Sequence, residues 1–330
     1  MSRKTRRTKA GTITVIRNSK SKKTSKNIKS NQVRETREQR KLKKNGSGTY
    51  TFHLHDKKGK TRLLLKHPTL RSYIPETKTL SKSTLSRMLN RYHMVYMKPR
   101  SGSMGRGVMR VEQHPEARKH THNKRCKKCG GTLHHAVKLW GYQLGLTKKT
   151  YTSYAGMYRS LNTLTEDRAY LIQKGIHLLK HRGQPFDIRI MVQKNEKGTF
   201  ICTGMVARMA KKGRIVTNGS QGGSILPVKP LLERTIGISA TRKRIRQMEH
   251  IALLTAKELR RHHAAICEIG LDIALDQKGY PWILEVNTRP DPCPFTLLDD
   301  PRPLRKIVRY GKGYGRRYKL ICKKARKGKL

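Results

Sequence analysis

The chain has 330 residues and carries 76 Lys and Arg against 20 Asp and Glu, a formal net charge of +56 at pH 7. That excess excludes basic partners and points to polyanions. Hydrophobic residues make up 35% and aromatics 6%, a lean supply, so part of the length is expected to stay outside any core.

Half of the excess sits at the ends. Residues 1–48 hold 17 basic and 2 acidic residues, and residues 301–330 hold 13 basic and none acidic. Both read as basic, disordered arms, either seeking a polyanion (nucleic acid or another anionic polymer) or merely solvated. Tyr310, Tyr314 and Tyr318 in the second arm would permit stacking on single strands. No apolar stretch of signal-peptide length follows the basic start, and no window approaches the ~18 apolar residues of a membrane span. The six cysteines, Cys126, Cys129, Cys202, Cys267, Cys293 and Cys322, then read as reduced thiols in a cytoplasmic protein.

In chain order, residues 49–66 give the first signal. Tyr50 to His55 alternate, with His53 and His55 on the polar face; Asp56 to Lys60 supply a turn with Gly59, and Arg62 to Leu65 resume, which predicts a β-hairpin. A linker with Pro68 and Pro75 leads to residues 79–92, where Leu80, Leu85, Met88, Leu89 and Tyr92 recur at helical spacing behind Ser81 or Ser83 as cap. The strand Met94 to Met97 then runs into Lys98, Pro99 and a loop with Gly102, Gly105 and Gly107, and a second strand leaves at Val108. A glycine loop between two strands is either a bulged hairpin or a flap whose N–H groups close on phosphates beside Lys98.

Further on, Cys126-Lys-Lys-Cys129 with His120, His122, His134 and His135 nearby has the spacing of a zinc knuckle, or forms a polar surface insertion. Residues 270–287 read as two apolar strands around a turn at Asp276 to Gly279. Pairing Leu275 with Tyr280 would set Asp272 opposite Ile283 and place Ile283, Glu285 and Asn287 on that same face. Two carboxylates and an amide oxygen on an apolar hairpin either hold a hard cation such as Mg²⁺ or meet Lys or Arg in the core.

Taken in order, Lys98 with Gly102, Gly105 and Gly107, the strand Tyr170 to Gln173, Asp187-Ile188-Arg189, Ala207-Arg208, Asn218 with Gly222-Gly223, and Asp272 with Glu285-Val286-Asn287 resemble an ATP-grasp enzyme. The succession is similar to the endospore-coat-associated YheC/YheD type, and its middle part to RimK-like ligases. The resemblance implies an α+β fold of two lobes clasping Mg-ATP, with residues 67–172 as a small lobe bearing the glycine loop and 173–300 as a large lobe bearing the metal site. It implies that Lys98, the loop Gly102 to Gly107 and, before the helix, Lys66 meet the nucleotide phosphates. Gln173, Lys174 and Ile176 would form the adenine hinge, and Asp187 would make ribose or metal-linked contacts. Arg189, Arg208 and Asn218 would serve phosphoryl transfer, while Asp272, Glu285 and Asn287 would hold Mg²⁺, with Mn²⁺ as a substitute.

The implied chemistry joins a carboxylate to an amine. A carboxylate is a poor acyl donor, so ATP first converts it to an acyl phosphate, and arginines with Mg²⁺ neutralise the two anions brought together. The substrate would be an acidic small molecule or polymer, and the setting a spore or its coat. Two other readings stand beside the ligase: a nucleotide-binding coat protein without catalysis, and a basic nucleic-acid-binding protein.

Overall fold

Asp56 opens a helix where the alternating pattern predicts the second half of a hairpin. The computed structural model describes residues 56–102, 104–125, 132–165, 168–217 and 219–330. Tyr50 to His55, residues 1–48, Cys126, Cys129 and Asn218 lie outside the described residues. Helix α1, Lys57–Lys66, is capped by the Asp56 carboxylate, which accepts from the Lys58 N–H at 3.0 Å. Its buried positions Lys60, Leu63 and Leu64 follow the helical period. Gly59 therefore sits inside the first turn of a helix, which corrects the hairpin expected over 49–66 as far as the described residues reach.

The first sheet has six strands: β1 (Thr77–Thr79), β2 (Met94–Pro99), β3 (Met109–Arg125), β4 (Thr132–Leu144), β5 (Thr147–Tyr151) and β6 (Tyr170–Lys174), in the order β1-β6-β2-β3-β4-β5. Helix α2, Lys82–Tyr92, follows the spacing read from the sequence, with the Ser81 hydroxyl accepting from Thr84 N–H at 3.1 Å and Leu85, Met88 and Leu89 buried. Together with helix α3, Tyr154–Thr165, it covers one face of the sheet in a core of its own.

The second sheet gathers β7 (Lys180–His181), β8 (Gln184–Lys194), β9 (Phe200–Met209), β10 (Ser224–Leu226), β11 (Glu268–Leu275), β12 (Pro281–Asn287) and β13 (Arg326–Lys327). Its order is β12-β11-β8-β9-β10-β13, with β7 paired to β8. Helices α4 (Val228–Ile236) and α5 (Ile238–His262) pack against it. The buried side of α5, including Met248, Ile251, Ala252, Ala256 and Leu259, joins Ile188, Ile190, Leu271 and Ile273 in the largest core.

The β11–β12 hairpin forms with a register other than expected. Leu275 pairs with Pro281, and an irregularity at Leu284 makes Asp272 the direct partner of Glu285, while Ile273 pairs with Ile283. The extra residue breaks the period of two, so Ile283 turns into the apolar core, opposite to Glu285.

The segment 301–330 is not a solvated arm. Helix α6, Arg302–Gly313, buries Ile307 and Tyr310. Glu268, itself 5% exposed, accepts from the hydroxyls of Tyr314 (2.9 Å) and Tyr318 and from Arg316 Nε (2.9 Å). Two of the three tyrosines expected to stack on nucleic acid, Tyr314 and Tyr318, thus satisfy a buried carboxylate, which would be costly to leave unpaired. Cys322 in this strap is bonded to Cys293 across a separation of 29 residues, Cα to Cα 5.4 Å. This corrects the reduced-thiol reading for that pair; Cys202 and Cys267 are free. No helix among the described residues is long and apolar enough to cross a membrane.

Candidate functional site

A cleft of about 800 Å³, open to solvent, runs between the two sheets. Tyr96, Lys98, Gln173 and Lys174 line it from the first sheet, Gly105 and Arg106 from the loop after β2, and Asp187, Arg208, Asp272 and Glu285 from the second. Lys98 sits near the end of β2, and its ammonium donates to Gln173 Oε1 at 2.6 Å and to the Leu284 carbonyl at 3.3 Å. Burial pushes its pKa down to about 8, against the pull of Glu285. Lys174 lies over Trp282, 4.8 Å from the ring centroid, and Ile176 is buried on the same wall.

The loop between β2 and β3 keeps its backbone in the left-handed half of conformational space at Gly102 (φ 111°), Met104 (61°), Gly105 (67°) and Gly107 (71°). Glycines make such a path accessible. A Cβ at Gly107 would also lie 3.0 Å from Pro99 Cγ and from the Tyr170 hydroxyl. The loop is tied down on two sides: the Gly102 carbonyl accepts from Lys57 Nζ at 2.9 Å, and the Met104 carbonyl from Gln221 Nε2 at 3.1 Å.

Across the cleft, one face of four adjacent strands carries a row of charges that the pairing register dictates. Asp187 on β8 is the partner of Arg208 on β9, Arg189 on β8 of Asp272 on β11, and Asp272 in turn of Glu285 on β12. Arg208 holds Asp187 in a two-pronged grip at 2.8 and 2.6 Å and reaches Asp272 Oδ2 at 2.9 Å. Arg189 Nη2 donates to the same oxygen at 3.0 Å, its Nε to Oδ1, and Thr217 donates to Asp187 at 2.6 Å. Burial opposes ionisation of Asp272, but Arg189 and Arg208 outweigh it and hold the carboxyl below the ordinary range. Burial likewise opposes the Arg208 charge, and Asp187 and Asp272 reverse the balance.

Most of the residues singled out in the sequence meet here, with exceptions. Lys66 is exposed at the last turn of α1 and does not line the cleft. Two lysines earlier on that helix reach the cleft strand instead: Lys57 stands 3.6 Å from Glu285, and Lys60 donates to the Val286 carbonyl at 2.5 Å. Their spacing with Leu64 on one helical face was the available signal, hidden by the hairpin reading. Arg189 does not line the cleft and is locked to Asp272, and Arg208 is also engaged. The core-pairing alternative for Asp272 therefore describes its surroundings.

The donors present fit a hard cation in chemistry. Asp272, Glu285 and Asn287 offer oxygens on one face, and Asn287 lies opposite Gly270, two residues beyond Glu285. A cation there would share Asp272 with two guanidiniums. Among the described residues no cluster of three or more His, Cys, Asp and Glu forms a metal centre.

A glycine loop roofing a cleft between two sheets, with a half-buried lysine on one side and paired acids and arginines on the other, defines the ATP-grasp class. The chain belongs to the YheC/D-like ATP-grasp family, whose model matches residues 49–316. It is 28% identical over 232 residues to the endospore coat-associated protein YheD of Bacillus subtilis (strain 168), covering 69% of this chain and 47% of that one. To the endospore coat-associated protein YheC of the same strain it is 25% identical over 232 residues, covering 69% and 57%. The chain thus spans about half the length of these curated relatives. Among solved structures it is similar to D-cycloserine synthetase DcsG, with a TM-score of 0.47, 9% identity and coverage of 79% of this chain and 70% of that one. An N5-carboxyaminoimidazole synthetase from Staphylococcus aureus complexed with ADP gives a TM-score of 0.42 at 8% identity, covering 81% and 52%.

Proposed function

We propose that the cleft binds Mg-ATP and that the protein joins a carboxylate to an amine through an acyl phosphate. The observation that carries this reading is Lys98, a half-buried ammonium beneath a glycine flap, facing Arg208, Asp272 and Glu285 across a cleft of nucleotide size. Lys98 and the flap N–H groups would hold phosphate oxygens, Lys174 and Ile176 the base, and Glu285 and Asn287, with Asp272 behind them, Mg²⁺. That ion would supply charge neutralisation between phosphate oxygens. A carboxylate oxygen of the substrate attacks the γ-phosphorus and ADP departs; the amine then attacks the acyl carbon, phosphate leaves with the C–O bond pair, and the amine gives up a proton. Arg208 would stabilise the added charge by turning part of its grip from Asp272 toward the phosphoryl group.

The closed pairing of Arg189 and Arg208 with Asp272 and Asp187 favours a second reading, nucleotide binding without transfer. Thermal unfolding with and without Mg-ATP tests the shared part. At 100 times the dissociation constant the fold should gain about 2.7 kcal/mol, a gain lost in Lys98→Ala and, for its magnesium-dependent part, in Glu285→Ala. A shift of equal size in all three proteins would refute the site. ADP release in a screen of acids and amines separates the ligase from the silent binder.

The names of the YheC and YheD relatives support association with a spore coat, which belongs to the same proposal. Arg302, Arg305, Lys306, Arg309 and Lys312, exposed on α6, support contact with an anionic polymer or nucleic acid.

A further inference from the structure

A second cavity, about 560 Å³ including its open mouth, lies under α1 and shares Lys57, Lys98, Gln173, Leu284 and Glu285 with the cleft. Its remaining wall is mainly apolar, with Leu64, Ile74, Leu171, Ile283 and Val286, and only Lys60, Thr61 and Thr77 add polar groups. Lys60 is 6% exposed. An ammonium has three donors, and among the described residues one is used, on the Val286 carbonyl. Two buried N–H donors beside an apolar cavity are expensive to leave unmet. Lys57 and Lys98 reach the same wall, and the carboxylate there, Glu285, stands 3.6 Å from Lys57. Three ammoniums thus face one acid. The imbalance calls for an anion, and the apolar wall calls for a body without charge.

We infer that this cavity is the acyl-substrate pocket of the same site, taking a carboxylic acid with an apolar body whose carboxylate meets Lys60. The inference rests on the ligase reading, because it places that carboxylate beside Lys98, where the terminal phosphate of a nucleotide would end. Leu64, Ile74 and Ile283 then set the length and width of the acid, and Lys60 is a specificity-determining residue. A second acid group on the substrate would have no partner on the apolar wall, so dicarboxylates should bind less well.

The test titrates hexanoate, its neutral analogue hexanamide, glutarate and inorganic phosphate into the full chain by calorimetry, with and without a saturating non-hydrolysable Mg-ATP analogue. Hexanoate should bind saturably and at least tenfold more tightly than hexanamide or glutarate. Lys60→Met should lose at least tenfold for hexanoate while binding the nucleotide analogue as the wild type does, and that nucleotide titration also reports that the variant is folded. Thr61→Leu, which narrows the cavity without touching charge, should weaken hexanoate and spare phosphate. Equal affinity for hexanoate and hexanamide, or hexanoate binding unchanged in Lys60→Met, would overturn the inference. So would a matching loss of nucleotide in Lys60→Met, which would make Lys60 a nucleotide ligand, or phosphate binding as tight as hexanoate. If the wild type takes hexanoate but no nucleotide, the ligase reading fails while the acid pocket stands.

Discussion

Replacing Arg208 with methionine keeps an unbranched apolar stem and removes the charge that two buried carboxylates share. In the native arrangement Arg208, 4% exposed at its side chain, makes two hydrogen bonds to Asp187 and one close contact to Asp272. Without it, among the described residues, Asp187 keeps only the Thr217 hydroxyl as a side-chain partner, and Asp272 keeps Arg189. Breaking a buried pair from one side costs about 3–5 kcal/mol because a desolvated charge is left behind. Against a total of about 5–15 kcal/mol, that is a large share. Urea unfolding at pH 7 should show the midpoint falling with the slope unchanged, and the melting temperature should drop by on the order of 10 °C. The sign with pH is a second, stricter expectation. In the wild type Asp272 has a depressed folded pKa, so its contribution is present above the unfolded value and is lost as pH falls through the folded one. In the variant the buried acids lose a compensating cation, so the folded state holds protons more readily than the wild type does and the deficit shrinks between pH 7 and pH 5. A deficit below about 1 kcal/mol, or one that grows on acidification, would refute the buried-network account and leave Arg208 as a ligand group alone.

Two further outcomes follow from the same geometry. Because the Lys98 ammonium has a pKa near 8, nucleotide affinity should be flat below pH 8 and fall about tenfold per unit above it, and an unchanged dissociation constant at pH 9.5 would remove Lys98 from the phosphate site. Cys322→Ser opens a loop of 29 residues and should cost about 3.5 kcal/mol by loop entropy, with reduction of the wild type matching the variant in denaturant titration; a difference between the two would assign the effect to the serine instead.

The helix at 82–92, the glycine loop between strands and the final hairpin could all be read from the sequence, because each rests on local periodicity or on turn residues. Asp272 and Glu285 stand out as polar positions on an apolar hairpin, whereas Asp187 and Arg208 are marked only by the order of motifs that resembles the ATP-grasp family. What they do to one another was not accessible in the same way. That Arg189 meets Asp272 depends on two strands 83 positions apart lying side by side, and no local pattern encodes that neighbourhood. Lys57 and Lys60 were missed for a different reason. Gly59 has strong turn propensity, and the buried face formed with Leu63 and Leu64 overrides it, a tertiary effect prevailing over a local one. The strap at 314–322 misled through composition: its charge is real, but its tyrosines point inward to a carboxylate on β11.

That strap imposes an order on the chain's birth. Glu268 enters the sheet before Tyr314, Arg316 and Tyr318 have been added to the growing polypeptide, and β10 waits for β13 to pair along its edge. A nascent chain halted anywhere between these points would hold a buried acid with no donor and an open strand flank, the combination that chaperones recognise and proteases cut. Completion of the second sheet therefore waits for residues 314–327.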